Sequence, residues 1–237
     1  MKYLVIIPTY NEKENIEAII RAIWKQPTPF DILVVDDGSP DGTAQIVKSI
    51  QKDHSDSLFI IERTGKLGLG TAYITGFKWA LEHGYDYIIE MDADFSHPPE
   101  RLNDLVAAAN EGADVAIGSR YVKGGSVKNW PFRRILISYG ASLYTRMITW
   151  MPVRDCTAGF VLYKKEVLST IPLDKVRFVG YAFQIEMKYL SWKNGFKIKE
   201  VPICFVDRVK GQSKMSKNII KEAIFGVWKM KFTNYKK

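Results

Sequence analysis

The stretch that decides the fold is Tyr87-Ile88-Ile89-Glu90-Met91-Asp92-Ala93-Asp94-Phe95-Ser96-His97-Pro98-Pro99, a short apolar run that ends in two carboxylates one residue apart. A run this brief, rich in isoleucine and closed by acids and prolines, reads as a buried strand and not as a helix. Working outward, runs of the same kind recur at Tyr3–Ile7, Ile32–Val35, Leu58–Ile61 and Asp114–Ile117. Between them lie stretches of helical period: Asn15–Trp24, Thr43–Lys52 behind an Asp41 cap, Gly70–His83, and Pro99–Glu111 with proline in its first turn. Strand and helix in alternation predict an α/β fold, with a mainly parallel sheet carrying helices on both faces.

Beyond residue 122 the alternation breaks. Lys123–Asn129 reads as a loop, followed by a helix over Ile135–Trp150, a strand at Phe160–Tyr163, a helix over Tyr181–Lys193, a strand at Lys197–Val206 and a last helix over Ser216–Lys231.

Ligands of such sheets bind at the carboxyl ends of the strands. Those ends carry Pro8-Thr9-Tyr10-Asn11-Glu12, Asp36-Asp37-Gly38-Ser39, Arg63-Thr64-Gly65, Asp92-Ala93-Asp94 and Gly118-Ser119-Arg120. So many acids on one edge repel one another unless a cation or hydrogen-bond donors compensate. Asp92 and Asp94 can turn oxygens toward one hard cation, Mg²⁺ or Mn²⁺, which bridges carboxylates to substrate phosphates. The same pair also reads as turn acids capping the next helix. Asp37 is placed to accept hydrogen bonds from a base or ribose, although Asp36–Thr43 has the composition of a plain turn. The glycines of Gly65–Thr71 fit neither common phosphate-loop spacing, which leaves a helix start near a diphosphate or an ordinary loop.

Arg120, Arg133, Arg134, Arg208 and Lys214 are candidate phosphate contacts, the last two flanking a Gly- and Ser-containing lid. His54, His83 and His97 have no metal or triad spacing and read as surface or capping residues.

Bulk properties narrow the function classes. With 34 basic and 26 acidic residues the formal charge is +8, which suits an anionic partner. Lys210–Lys237 holds eight of the lysines and one acid, Glu222. Cys156 and Cys204 form no metal or disulfide pattern, which points to a reducing compartment. The N-terminus reads as a strand and not as a signal peptide, and no apolar run is long enough to predict a membrane-spanning helix. Aromatic and basic residues do not assemble into a recognisable nucleic-acid module.

In order, PTYNEKENI, VVDDGSPDGT, RTGKLGLGTAYITGF, EMDADFSHPPE, GSRY, DCTAGFVLYKKEVL, GYAFQIEM and VPICFVDRVKGQSKMS span nearly the whole chain. This set resembles the GT-A fold, family 2 glycosyltransferases, and within them the dolichyl- or polyprenyl-phosphate mannose synthases. The resemblance implies a Rossmann-like nucleotide-sugar-binding fold and an inverting, metal-dependent transfer of mannose from GDP-mannose to a polyprenyl phosphate, peripheral on the cytoplasmic face of a membrane. By matched motif it implies that Pro8, Tyr10 and Glu12 line the nucleotide and that Val35 and Asp37 hold its guanosine part. Asp92, Ala93 and Asp94 then meet the sugar diphosphate, with Asp94 the principal metal ligand. Arg120, Arg208 and Lys214 answer to the family's phosphate contacts.

Some relatives have glutamine where this chain has Ser96, a weaker oxygen ligand. Many also have C-terminal membrane helices. Here residues 1–210 are expected to form the transferase domain and 211–237 a basic amphipathic segment, either interfacial or packed on the sheet. A membrane partner subunit stays open, as do a sister activity on UDP-glucose or another donor, a membrane-surface adaptor and a basic nucleic-acid binder. Asp92, Asp94 and Arg120 are the expected catalytic residues.

Overall fold

The computed structural model describes residues 1–207, 226–233 and 235. The first half alternates as expected: β1 (Tyr3–Thr9), α1 (Ile16–Trp24), β2 (Asp31–Asp36), α2 (Thr43–Gln51), β3 (Leu58–Glu62), α3 (Leu69–Glu82) and β4 (Tyr87–Glu90). A 3-10 turn at Pro99–Arg101 leads into α4 (Leu102–Asn110), and β5 (Val115–Ser119) comes next. The second half holds β6 (Ser126–Lys128), α5 (Phe132–Thr149), β7 (Val161–Lys164), α6 (Lys165–Thr170), α7 (Tyr181–Lys193), β8 (Ile198–Pro202) and β9 (Cys204–Val206). Residues 226–232 form α8.

Seven strands make one sheet in the order β3-β2-β1-β4-β7-β5-β8. All neighbours are parallel except β7, which runs against both β4 and β5. Side chains alternate along each strand, so the apolar runs feed two cores. Leu4, Ile6, Leu33, Val35 and Ile88 pack with Tyr73 and Phe77 of α3 and with Phe183 and Leu190 of α7. Val5, Ile7, Ile32, Val34 and Ile89 pack on the other face with Ile16 and Ile20 of α1, Val47 of α2 and Leu105 of α4. Burial on both faces explains why these strands are continuously apolar instead of alternating.

Three expectations need correction. The expected loop at Lys123–Asn129 contains β6, which pairs in parallel with β9 as a separate two-stranded sheet. The single strand expected over Lys197–Val206 is two strands, β8 in the main sheet and β9 in the small one. Ile203 joins them, its N–H donating to the Ser119 carbonyl and its carbonyl accepting from Ser126 N–H, both at 3.0 Å. A residue that bonds on both sides is bent out of either ladder, and no side-chain pattern announces it. Helix α6 has no counterpart in the expected elements; its six residues are too few for a period to be read.

The division at residue 210 and most of the expected last helix lie outside the described residues. In α8, Val227 and Met230 are fully buried in the α3 and α7 core while Phe232 is 76% exposed, so this part packs on the domain and still presents apolar surface. Among the described residues no helix is long and apolar enough to cross a membrane.

Candidate active site

The carboxyl ends of β1 and β2 lie side by side, with Pro8 opposite Val35 and Thr9 opposite Asp36. Asp36 is 1% exposed and organises the turn beyond it. Its Oδ1 accepts from Thr9 Oγ1 at 2.7 Å and Ser39 Oγ at 2.6 Å, and its Oδ2 from Ser39 N–H at 2.8 Å. Asp37 is turned the other way and is gripped by Arg63, whose Nε donates to Asp37 Oδ1 at 2.6 Å. Arg63 also reaches Thr71 Oγ1 at 2.8 Å and the Gly68 carbonyl at 3.2 Å. One arginine, its side chain 8% exposed, thus ties the acid at the β2 end to the start of α3.

Glu12 accepts from Asn15 Nδ2 at 3.0 Å, and its own N–H donates to Thr43 Oγ1. Asp41 takes the Thr43 N–H at 3.0 Å, as a cap should, although Gly42 holds the N-cap position itself. Lys66 lies 5.1 Å over the Tyr10 ring. Gly70 of this loop serves packing: a Cβ there would sit 2.7 Å from the Phe178 carbonyl oxygen and 2.8 Å from the Phe183 ring.

At the end of β4, Asp92, Asp94 and Ser96 line a cavity of about 770 Å³ that continues under α5. Its polar lining also includes His97, Arg120 and Asp207, with Arg133 and Arg134 contributed by α5, Arg134 donating to Asp207 at 2.8 Å; Leu69, Ile137, Tyr144, Ile185 and Phe205 are among its apolar walls. Asp94 is buried and accepts from Ser96 N–H at 3.0 Å, which curls the chain after the acids.

His97 corrects the sequence reading. It is not on the surface but 3% exposed beneath the acidic motif, its ring stacked 5.2 Å from that of Phe160. Its Nδ1 accepts the Asp92 N–H at 3.1 Å, so the ring must be neutral there. Burial, with Arg120 nearby, pushes its pKa down to about 4, against the opposing pull of Asp94. A lone histidine seven residues past a strand gives no sign of this. Glu90, fully buried just before the acids, is pushed up to about 8 by desolvation, with Lys188 and Gln184 as compensating groups. Lys188, itself lowered to about 8 by burial, donates to the Ala158 carbonyl at 2.6 Å and so ties α7 to the loop before β7.

Arg120 reaches the cavity wall but is held from behind. Asp155, fully buried, accepts from Arg120 N–H at 2.9 Å, Nε at 2.7 Å and Nη2 at 2.6 Å, and Thr157 Oγ1 takes a further bond at 2.9 Å. The guanidinium also lies 5.2 to 5.6 Å from the ring centres of Tyr121, Trp130 and Phe205. It is therefore a fixed charge and not a swinging clamp. Asp155 belongs to the DCTAGF stretch, but its pairing across 35 residues had no local signal.

The structure thus brings Asp92, Asp94, Ser96 and Arg120 into one cavity and sets Pro8, Tyr10, Glu12 and Asp37 at the adjoining strand ends. The side chains of Val35 and Ala93 are in the cores, which leaves only their backbone groups to meet a ligand. Arg208 and Lys214 lie outside the described residues. The Ser96 hydroxyl is buried without a hydrogen-bond partner beside Asp94, a donor chemistry that fits an oxygen ligand to a hard cation. Among the described residues no group of three or more His, Cys, Asp or Glu side chains could hold a metal. A divalent ion there would complete its shell with phosphate oxygens and water.

Comparison with known proteins accords with this geometry. The Glycosyl transferase family 2 profile matches residues 4–171. The chain is 48% identical over 224 residues to the polyprenol monophosphomannose synthase of Mycolicibacterium smegmatis, covering 94% of this chain and 84% of that one. It is 45% identical over 227 residues to the undecaprenyl-phosphate mannosyltransferase of Micrococcus luteus, covering 96% and 93%. Among solved structures it resembles a mannosyltransferase of Pyrobaculum calidifontis in complex with GDP-Man and Mn²⁺. There the TM-score is 0.61 at 20% identity, over 90% of this chain and 58% of that one.

Proposed function

Since the chain belongs to glycosyl transferase family 2, we propose that it transfers mannose from GDP-mannose to a polyprenyl phosphate, with inversion at the sugar. The observation that carries this reading is the cavity beneath α5, which combines Asp92, Asp94, Asp207 and three arginines with extensive apolar walls. An acceptor with an anionic head and a hydrocarbon tail matches that combination. The two relatives named for polyprenol and undecaprenyl-phosphate mannosyl transfer support it at 48% and 45% identity.

The nucleotide lies at the ends of β1 and β2, lined by Pro8, Tyr10 and Glu12, with Asp37 held by Arg63 to meet the guanosine along with the Val35 backbone. The diphosphate reaches Asp92, the Ala93 backbone and Asp94. Mg²⁺ or Mn²⁺ bound by Asp94 and Ser96 would draw negative charge from the departing diphosphate; the Pyrobaculum structure holds Mn²⁺.

An acceptor phosphate oxygen forms the new bond to the anomeric carbon as the bond to the GDP oxygen breaks. A phosphate monoester is already largely ionised near neutral pH, so no side chain need remove a proton. The protein aligns the two anions and offsets their repulsion. Arg120, fixed by Asp155, supplies one positive charge, Arg133 on α5 supplies another, Arg134 is partly offset by Asp207, which accepts from it at 2.8 Å, and Arg208 and Lys214 answer to the family's remaining phosphate contacts. A lipid acceptor suits an enzyme that works peripherally at the cytoplasmic face of a membrane.

The test is transfer from radiolabelled GDP-mannose to a short-chain polyprenyl phosphate in detergent, with Mg²⁺, Mn²⁺ or chelator, and with UDP-glucose as rival donor. Metal-dependent mannolipid is expected. Product from UDP-glucose alone would overturn the donor assignment, and no product from either would overturn the reaction.

A further inference from the structure

Two buried N–H groups near the acidic motif have no acceptor. His97 gives its Nδ1 lone pair to the Asp92 N–H at 3.1 Å, so the proton of the neutral ring sits on Nε2. Among the described residues nothing accepts from Nε2–H, although the side chain is 3% exposed. Gln184 of α7, 1% exposed, is in the same state. Its Oε1 accepts from Lys188 Nζ at 3.2 Å, which settles the orientation of the amide, and its Nε2 is buried without a hydrogen-bond partner. Glu90 draws on the amide from one side, but its own carboxylate oxygens also lack a hydrogen bond, and the amide has two N–H groups, so at least one remains to be met. Buried polar groups are costly to leave unmet, and each calls for an explanation.

Gly159 supplies it. A Cβ built on Gly159 would lie 3.9 Å from His97 Nε2, 3.6 Å from His97 Cε1 and 3.8 Å from Gln184 Nε2. The two nitrogens therefore flank one point, which is open because residue 159 has no side chain. All three residues line the reaction cavity. A ligand oxygen in that opening is within about one ångström of hydrogen-bond distance from both nitrogens. Both are also held in place. Phe160 stacks on the His97 ring at 5.2 Å and 15°, while Lys188 grips Gln184 through Oε1 and the Ala158 carbonyl, next to Gly159, at 2.6 Å. Groups fixed on one point before the ligand arrives lose little on binding it.

Charge selects the ligand. Neither N–H group is formally charged. Arg120 and Lys188, whose charges reach His97, are already countered, by Asp155 and Glu90. An anion therefore gains little here. An alcohol oxygen offers two lone pairs to two N–H groups and has a proton to give to a carboxylate such as Asp94 of the same cavity.

We propose that His97 Nε2–H and the Gln184 amide, over the open Cα of Gly159, form a subsite that takes one hydroxyl of the transferred sugar. The inference rests on the reading of a nucleotide-sugar donor and deepens it, because it names the residues that hold the hexose itself and leaves the nucleotide and diphosphate to the strand ends.

The test is calorimetric titration of the full chain with GDP and with GDP-mannose, each in Mg²⁺, comparing wild type with Gly159→Ala and Gln184→Met. The alanine methyl would sit at ordinary contact distances of 3.6 to 3.9 Å, so the melting curve of Gly159→Ala should match wild type while the methyl takes the oxygen's place. Both variants should bind GDP-mannose about tenfold or more weakly and GDP as wild type does. GDP-monodeoxymannoses, lacking each hydroxyl in turn, identify the one that is held: wild type should lose about tenfold with one of them, and Gln184→Met should lose little further with that same analogue.

GDP-mannose binding that neither variant weakens, or a loss shared equally by GDP, would overturn the inference. So would a loss confined to the KM for the polyprenyl phosphate, which would assign the opening to an acceptor phosphate oxygen. Wild-type protein that binds neither GDP nor GDP-mannose would remove the assigned donor and the subsite with it, whereas wild-type binding with indifferent variants would remove the subsite alone.

Discussion

Replacing Asp155 by Asn tests whether Arg120 is a positioned charge. Asp155 is fully buried and Arg120 is 9% exposed, and three of the acid's hydrogen bonds come from that one residue. Neutralising the acid leaves a guanidinium buried among aromatic rings without its countercharge. Breaking a buried pair from one side costs about 3–5 kcal/mol. With a urea slope of about 3 kcal/mol/M, the upper end for small proteins, the unfolding midpoint should fall by about 1–2 M.

Arg120→Met should cost a similar amount by stranding the carboxylate. The double variant should cost much less than the sum, with a coupling of about 2–3 kcal/mol. Equilibrium unfolding of the four proteins, followed by tryptophan fluorescence, gives the cycle. Losses that add to within about 0.5 kcal/mol would refute the fork as described. Mannosyl transfer by Asp155→Asn, measured where the protein is still folded, should fall along with that of Arg120→Met, because one frees and the other removes the same charge.

Three further outcomes are expected. His97 keeps its neutral form when folded and binds its proton near pH 6.5 when unfolded, so it adds stability above pH 6.5 that is lost as pH falls toward about 4. The loss is about 3 kcal/mol, and unfolding curves of His97→Asn across that window should be flatter than wild type; parallel curves would count against the buried neutral ring. A Cβ on Gly118 would lie 2.5 Å from the Phe160 ring, so Gly118→Ala should lower stability by about 1–3 kcal/mol, read by thermal melting, and an unchanged melt would show that β5 and the loop before β7 are packed less closely. Asp94→Asn should abolish metal-dependent transfer with little change in the melting curve; full activity in chelator-treated variant would remove Asp94 as the metal's ligand.

The parts legible in the sequence share one cause. Strands β1 to β5 are buried on both faces and separated by helices of regular period, so hydrophobicity alone locates them to within a residue or two. Asp92 and Asp94 were legible because they come directly after such a strand. Where contacts join distant residues, no local pattern exists: Asp155 under Arg120, His97 under Asp92 and Lys188 on Ala158 are set by the packing of β7 and α7 against β4. Arg63 stood among the strand-end residues, but only the fold turns it onto Asp37. The outward ridge of α5 was hidden for another reason. A period of three to four is normally assigned to a core, and only burial reveals that Phe132, Leu136, Tyr139, Leu143 and Met147 face out while Ser142, Thr145 and Thr149 face in beside Ile148.

Strand β7 runs against its neighbours, with Val161 beside Glu90 and Ile117. A reversed strand delivers its beginning where the others deliver their ends. The edge of the sheet is thus assembled from two directions of the chain. On the proposed reading the loops after β1, β2 and β4 would face the donor, and the loop before β7 would support the charge offered to the acceptor. The reversal acts as a seam between two halves of one reaction. Exchanging residues 152–160 for another sequence that keeps Asp155, Gly159 and Phe160 should change which acceptor is tolerated without disturbing how the nucleotide is held. Variation in acceptor chemistry is thereby separable, along the chain, from variation in the donor.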